Sequence, residues 1–124
     1  MDHLTGAIVG HLVGDYLLQN DYLAQGKKRD NIICACHCFI WAWCVLGFGQ
    51  APWTKESYYP GLYVWLILFV THYIQDRGGL IQRWMIWNGQ EKFMTGPCAP
   101  WSLIVVDNVW HIVTIYVIWK LFGI

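Results

Sequence analysis

Gly10-His11-Leu12-Val13-Gly14-Asp15-Tyr16-Leu17-Leu18-Gln19 is an apolar stretch interrupted by polar residues at a spacing of four. On a helix, His11, Asp15 and Gln19 therefore share one stripe. The device recurs twice. In Thr71-His72-Tyr73-Ile74-Gln75-Asp76 a His again precedes an Asp by four, and in Asp107-Asn108-Val109-Trp110-His111 the order is reversed. The remaining apolar stretch carries His37. Each hydrophobic segment thus holds a histidine, and three of them a partnered aspartate. The expected purpose of the fold is to bring His11, Asp15, His37, His72, Asp76, Asp107 and His111 together.

Composition sets the class. Of the 124 residues, 56% are hydrophobic and 13% charged, against about 25% charged in an ordinary soluble domain. A soluble chain of this size buries only about two-thirds of its surface, too little to hide so much apolar side chain. An all-α polytopic membrane protein is the expectation, with the bilayer as its principal partner. Lys+Arg and Asp+Glu balance at 8 each, which speaks against nucleic acid. Met1-Asp2-His3 is no basic leader, so no signal peptide is expected. Five cysteines without framework spacing argue against a disulfide-stapled secreted fold.

The chain then divides into a single integral membrane domain, 1–124, with spans at about 4–25, 32–49, 61–79 and 101–122, since about 20 apolar residues suffice to cross a bilayer. The expected architecture is a four-transmembrane-helix bundle. A short amphipathic helix at 80–87, with Trp84 and Trp87, lies in the interface before the last span. Residues 50–57 and 88–100 read as loops. Lys27, Lys28, Arg29, Arg77, Arg83 and Lys92 fall on one side of such a bundle, and Lys55 and Lys120 on the other. The positive-inside rule places the first group in the cytoplasm and both termini outside, which suits a bacterial inner membrane. The polar residues of every segment then fall in the cytoplasmic half.

An aspartate at mid-bilayer costs roughly 2.5–3.5 kcal/mol, and no Lys or Arg lies within the expected spans at matching depth. A divalent cation answers this directly. Zinc accepts imidazole nitrogen and carboxylate oxygen, and the seven candidate ligands exceed one tetrahedral site, so one or two ions are expected. Satisfied helix–helix hydrogen bonds and a proton relay are the alternatives. Gln19 and Asp21 are candidates for orienting the ligands, although Asp21 also reads as a solvated helix-end carboxylate. His3 reads as an interfacial residue. In Cys34-Ala35-Cys36-His37-Cys38, neighbours two apart point about 200° apart on a helix, so these thiols read as packing residues. Gly10 and Gly14 form a small-xxx-small pattern that admits a close helix neighbour.

His11-Leu12-Val13-Gly14-Asp15-Tyr16-Leu17-Leu18-Gln19, with Lys27-Lys28-Arg29, His37 and His72-Tyr73-Ile74-Gln75-Asp76, resembles a family of small bacterial and phage integral membrane proteins catalogued as a domain of unknown function. The Asp107-to-His111 element resembles, more distantly, membrane-bound metal-dependent hydrolases. That resemblance implies a metal and leaves the substrate open. The first functional expectation is a hydrolase acting on a lipid or another amphiphile, with water activated by the ion. One of Asp15, Asp76 and Asp107 then serves as general base. Lys27, Lys28, Arg29 and Arg83 are candidates to hold a phosphate headgroup, beside their plain role as orientation signals. A transport or relay protein using the same residues is the second expectation. A small phage-like accessory protein with a structural metal is the third. The oligomeric state is left open.

Overall fold

A computed structural model describes residues 2–50 and 58–124, with residues 58–60 described by their backbone alone. Asp2 opens the first helix, α1 (His3–Leu12), by accepting the Thr5 backbone N–H at 2.9 Å. α1 runs straight into a π-helical turn, Val13–Leu17, in which the Leu18 N–H bonds the Val13 carbonyl at 3.0 Å. The turn is wider than an α-helical one and ends the helix. Asn20 then caps a separate short helix, α2 (Asp21–Gly26), accepting the Leu23 N–H at 2.9 Å. Asp30 caps α3 (Asn31–Phe48) through the N–H groups of Ile32 and Ile33. Such caps satisfy amides that a helix start leaves unpaired.

α4 spans Tyr58–Arg77. Gly79 follows it at φ 63, a left-handed conformation that favours glycine, and turns the chain into α5 (Leu80–Trp87). The expected 88–100 loop contains a further short helix, α6 (Glu91–Thr95), and α7 (Trp101–Phe122) closes the chain. The loop expected at 50–57, with Lys55, lies beyond Gln50 outside the described residues.

α1 packs against α3 and α7, and α4 against the same two, so the four longer elements form a ring. α5 packs on α4 and α7 by burying Ile81 and Met85, leaving Ile86 and Trp87 exposed. One end of the ring is an apolar core of Ala42, Val45, Leu46, Val64, Leu68, Ile115, Ile118 and Trp119, with Trp41 joining it to the histidines. The opposite end carries the histidines and aspartates. His3 is tied to the core end through Nδ1 and the Gly49 carbonyl, 3.0 Å apart.

Four membrane crossings are not what the structure supports. The architecture is all-α, but among the described residues only Asn31–Phe48 and Trp101–Phe122 are long and apolar enough to cross a membrane. The first segment fails because the π-helical turn and Asn20 break it into pieces of 10, 5 and 6 residues. The third ends in Thr71, His72, Gln75, Asp76 and Arg77, which dilute its hydrophobicity. In the two apolar helices only 39% and 22% of the apolar window is buried. Their outer faces, with Phe39, Trp43, Val105, Val109, Val113 and Leu121, are exposed.

α1 crosses α3 at backbone contact. A Cβ on Gly10 would overlap the Cys44 carbonyl, and one on Gly14 would come within 2.9 Å of the Trp41 ring. The glycine pattern does admit a close neighbour, and it continues to Gly6 against the Phe48 carbonyl. Gly47, by contrast, has nothing within 4 Å of its Cβ position. Gly10→Ala is therefore expected to destabilise the fold by about 1–3 kcal/mol, the usual range for overpacking. Gly47→Ala is expected to be neutral or to stabilise by roughly 0.5–1 kcal/mol, the helix-propensity gain. Thermal unfolding in detergent compares the two, and equal melting points would contradict the close crossing.

Candidate metal centre

Asp15 is the hub of the polar end. Its Oδ1 lies 3.1 Å from His37 Nε2 and 3.5 Å from His72 Nε2. Its Oδ2 lies 3.2 Å from His11 Nδ1 and 3.4 Å from His111 Nδ1. Asp76 mirrors it, with Oδ2 at 3.2 Å from His37 Nε2 and 3.4 Å from His72 Nε2, and Oδ1 at 3.6 Å from His111 Nε2. All four histidines are buried, and the two aspartates are each 7% exposed. One carboxylate can meet imidazoles from α1, α3, α4 and α7 because the glycines bring α1 onto α3. The π-helical turn also carries Asp15 inward, and Asp15 is buried beside Gly14 within it.

The spacing suits a cation. In a tetrahedral zinc site with bonds of about 2.0–2.1 Å, ligand atoms stand about 3.3 Å apart. His37 Nε2, His72 Nε2 and Asp15 Oδ1 are separated by 3.1, 3.1 and 3.5 Å. His72, Asp76 and His111 form a further group of that kind, as do His11, Asp15 and His111. Among the described residues neither buried ring nitrogen of His111 has a hydrogen-bond partner, the carboxylates of Asp15 and Asp76 standing 3.4 and 3.6 Å away. Unpaired buried polar atoms are costly, and a shared ion relieves several at once. These buried His/Asp groups could hold a metal ion. The cysteines stay outside: Cys34 and Cys38 are buried together, Sγ atoms 3.9 Å apart, and Cys36 is exposed.

His11 has a different standing from the other three. Trp41 Nε1–H donates to its Nδ1 at 3.0 Å, and its Nε2 lies 2.9 Å from Asn108 Oδ1. The first bond requires a lone pair on Nδ1 and the second a proton on Nε2. The one lone pair of His11 thus already accepts the Trp41 N–H, although His11 also belongs to one of the three groups that could hold an ion. Asn108 is itself held, donating from Nδ2 to the Ile104 carbonyl at 2.8 Å and to the Tyr16 hydroxyl. The Trp41 indole also stacks flat on His72, with centroids 3.8 Å apart and planes at 3°. Trp41 and Asn108 escape a search for charged residues. The available signals were the position of Trp41 one turn after His37 and that of Asn108 beside Asp107.

No Lys or Arg is expected within the spans at the depth of the aspartates, and Lys27 reaches them from outside the first expected span. It sits in the turn after α2, yet its Nζ is 2.7 Å from Asp76 Oδ2, with the lysine side chain 11% exposed. Burial alone would push its ammonium toward deprotonation. The carboxylates of Asp76 and Asp15 overcome this and hold it above the ordinary lysine range. Arg77 fixes the turn from the neighbouring helix, donating to Asn31 Oδ1 at 2.8 Å and to the Lys28 and Arg29 carbonyls at 2.7 and 3.2 Å. Lys27 is thus engaged by Asp76, whereas Lys28 is exposed and lines a cavity above the cluster. Arg29 and Arg83 are exposed and are not among the cavity's lining residues.

That cavity holds about 290 Å³. It is lined by Asp15, Asp76 and Asp107 with Gln19, Gln75 and Asn108, and by the apolar Ile81, Leu103 and Ile104. Asp107 stands at the rim. Its side chain is 30% exposed and its carboxylate is 3.9 Å from His111 Nδ1. Gln19 lines the cavity with its Oε1 buried and unpaired. Asp21 is exposed in the first turn of α2 and pairs with none of the buried residues, because the break at Asn20 turns α2 off the stripe.

No curated protein and no solved structure matches the chain. A family model does, over residues 4–124, and the chain belongs to the family described as "Protein of unknown function (DUF3307)".

Proposed function

We propose that this is an integral membrane protein, of the bacterial inner membrane or a related phage setting, that hydrolyses an amphiphilic substrate at a zinc centre facing the cytoplasm. The observation that carries the reading is the cavity. Its lining combines three carboxylates, those of Asp15, Asp76 and Asp107, with the apolar Ile81, Leu103 and Ile104. A lining of both kinds suits a molecule with a headgroup and a chain. The exposed apolar faces of α3 and α7 suit lipid. The Lys27–Arg29 turn beside the cavity suits the cytoplasmic leaflet.

His37, His72 and Asp15 would hold the ion, with Asp76 and His111 beside them. A divalent cation there supplies electrophilic and water-activating chemistry. Asp107 is the candidate general base, because it reaches the cavity while standing outside the close-packed groups. Lys28 is placed to meet an anionic headgroup, whether phosphate or carboxylate.

The test is incubation of the zinc-loaded protein with mixed micelles of bacterial membrane lipids and analysis of the products by mass spectrometry. Cleavage of at least one component is expected, with loss on chelation. Asp107→Asn should retain zinc while slowing turnover about 10²–10⁴-fold, the range for a missing general base. Zinc-loaded protein that cleaves none of the lipids would overturn the hydrolase reading. Asp107→Asn with full activity would overturn the role of that residue.

A further inference from the structure

The cluster holds more ligand groups than one ion needs, and it also contains a lysine. It falls into two overlapping halves, since Asp76 Oδ2 also lies 3.2 and 3.4 Å from His37 and His72 Nε2, and Asp15 Oδ2 lies 3.4 Å from His111 Nδ1. His37, His72 and Asp15 face one another at 3.1–3.5 Å. Asp76 and His111 face each other at 3.6 Å, with neither His111 ring nitrogen hydrogen-bonded among the described residues. Lys27 Nζ enters beside this second half, 2.7 Å from Asp76 Oδ2 and 3.5 Å from His37 Nε2. It is no drifting surface chain, since Arg77 pins the turn that carries it through Asn31 and two carbonyls.

Charge decides what the site can hold. With neutral histidines, Asp15, Asp76 and Asp107 carry three negative charges. One divalent ion and the Lys27 ammonium cancel them. A second divalent ion with Lys27 still in place would leave a surplus of two positive charges in a largely buried site, which low dielectric opposes. The ammonium and a second ion would also share one carboxylate, Lys27 holding Asp76 Oδ2 while Oδ1 faces His111.

Resting on the metal reading above, we propose that Lys27 is a built-in substitute for a second cation. Its ammonium and a second ion at Asp76 and His111 exclude each other. The wild type therefore holds one ion, and removal of the lysine charge opens a second site.

The experiment is zinc titration of the full-length protein in detergent, followed by desalting and metal analysis per chain. The wild type and Lys27→Arg should hold one ion, and Lys27→Met two. Lys27→Gln keeps a hydrogen-bond donor for Asp76 without the charge, so it serves where the methionine variant does not fold, and it too should hold two. Adding Asp76→Asn to Lys27→Gln should return the count to one. Two ions in the wild type, or one ion in the uncharged Lys27 variants, would overturn the inference while leaving the metal centre standing. No ion in any of these proteins would overturn the metal centre itself.

Discussion

Asp15→Asn is expected to lower zinc affinity by more than about 100-fold and to leave the metal-free protein at least as stable as the wild type. The two halves of this result have one cause. Both Asp15 oxygens are within 3.1–3.5 Å of imidazole nitrogens from four different segments. Changes one layer out from a metal cost 10–100-fold in affinity, and Asp15 is closer than that. Without an ion, however, its charge is buried among ring nitrogens and their lone pairs, which is costly. An amide of the same shape removes the charge and offers donors to those lone pairs. Stability otherwise rests on the apolar end of the ring, on Leu46, Leu68 and Trp119, which this substitution does not touch. Zinc at 100 times its dissociation constant stabilises a native state by about 2.7 kcal/mol. The wild type should therefore gain melting temperature on zinc addition, and Asp15→Asn should not. Equal gains would remove Asp15 from the centre.

Trp41→Ala is expected to be the most damaging single truncation. The ring is 1% exposed and belongs to the core, so its loss should cost about 3–5 kcal/mol. It also removes two constraints on the cluster: the flat stack on His72 and the N–H held by His11. Trp41→Phe separates packing from orientation. It keeps an aromatic face for His72 and should recover most of the stability, while the lone pair of His11 is released. Zinc affinity in Trp41→Phe should then change by about tenfold or more, the lower end for a residue that orients ligands. Wild-type affinity in Trp41→Phe would mean that His11 needs no such clamp.

Much of the centre was legible in the residue pattern, because its unit is local. A His and an Asp four apart on one helix must share a face; His11/Asp15 and His72/Asp76 do pair along their own segments, and the two pairs meet across the bundle where Asp15 faces His72. The glycine spacing in the same stretch announced the crossing with α3. What the pattern hid are features that depend on breaks and on distant neighbours. The apolar run from Leu4 to Ala24 looks continuous, so a π-helical turn and a new start at Asn20 go unseen unless Asn20 is recognised as a cap. Those breaks, with the polar end of α4, are why four crossings became two candidate ones. Lys27 looks like an orientation signal in the sequence. Only the clamp from Arg77, about fifty positions away, turns it toward Asp76. Asp107 matches the pattern as well as Asp15 does, yet its position along α7 leaves it at the rim.

The central claim is that the buried histidines and aspartates hold a metal. It is tested most directly by the metal content of the wild-type protein purified in detergent without chelator. One zinc or comparable divalent ion per chain is the predicted result, falling below about a tenth in Asp15→Asn. Wild-type protein that emerges folded and metal-free, and that takes up no ion when zinc is restored, would contradict it.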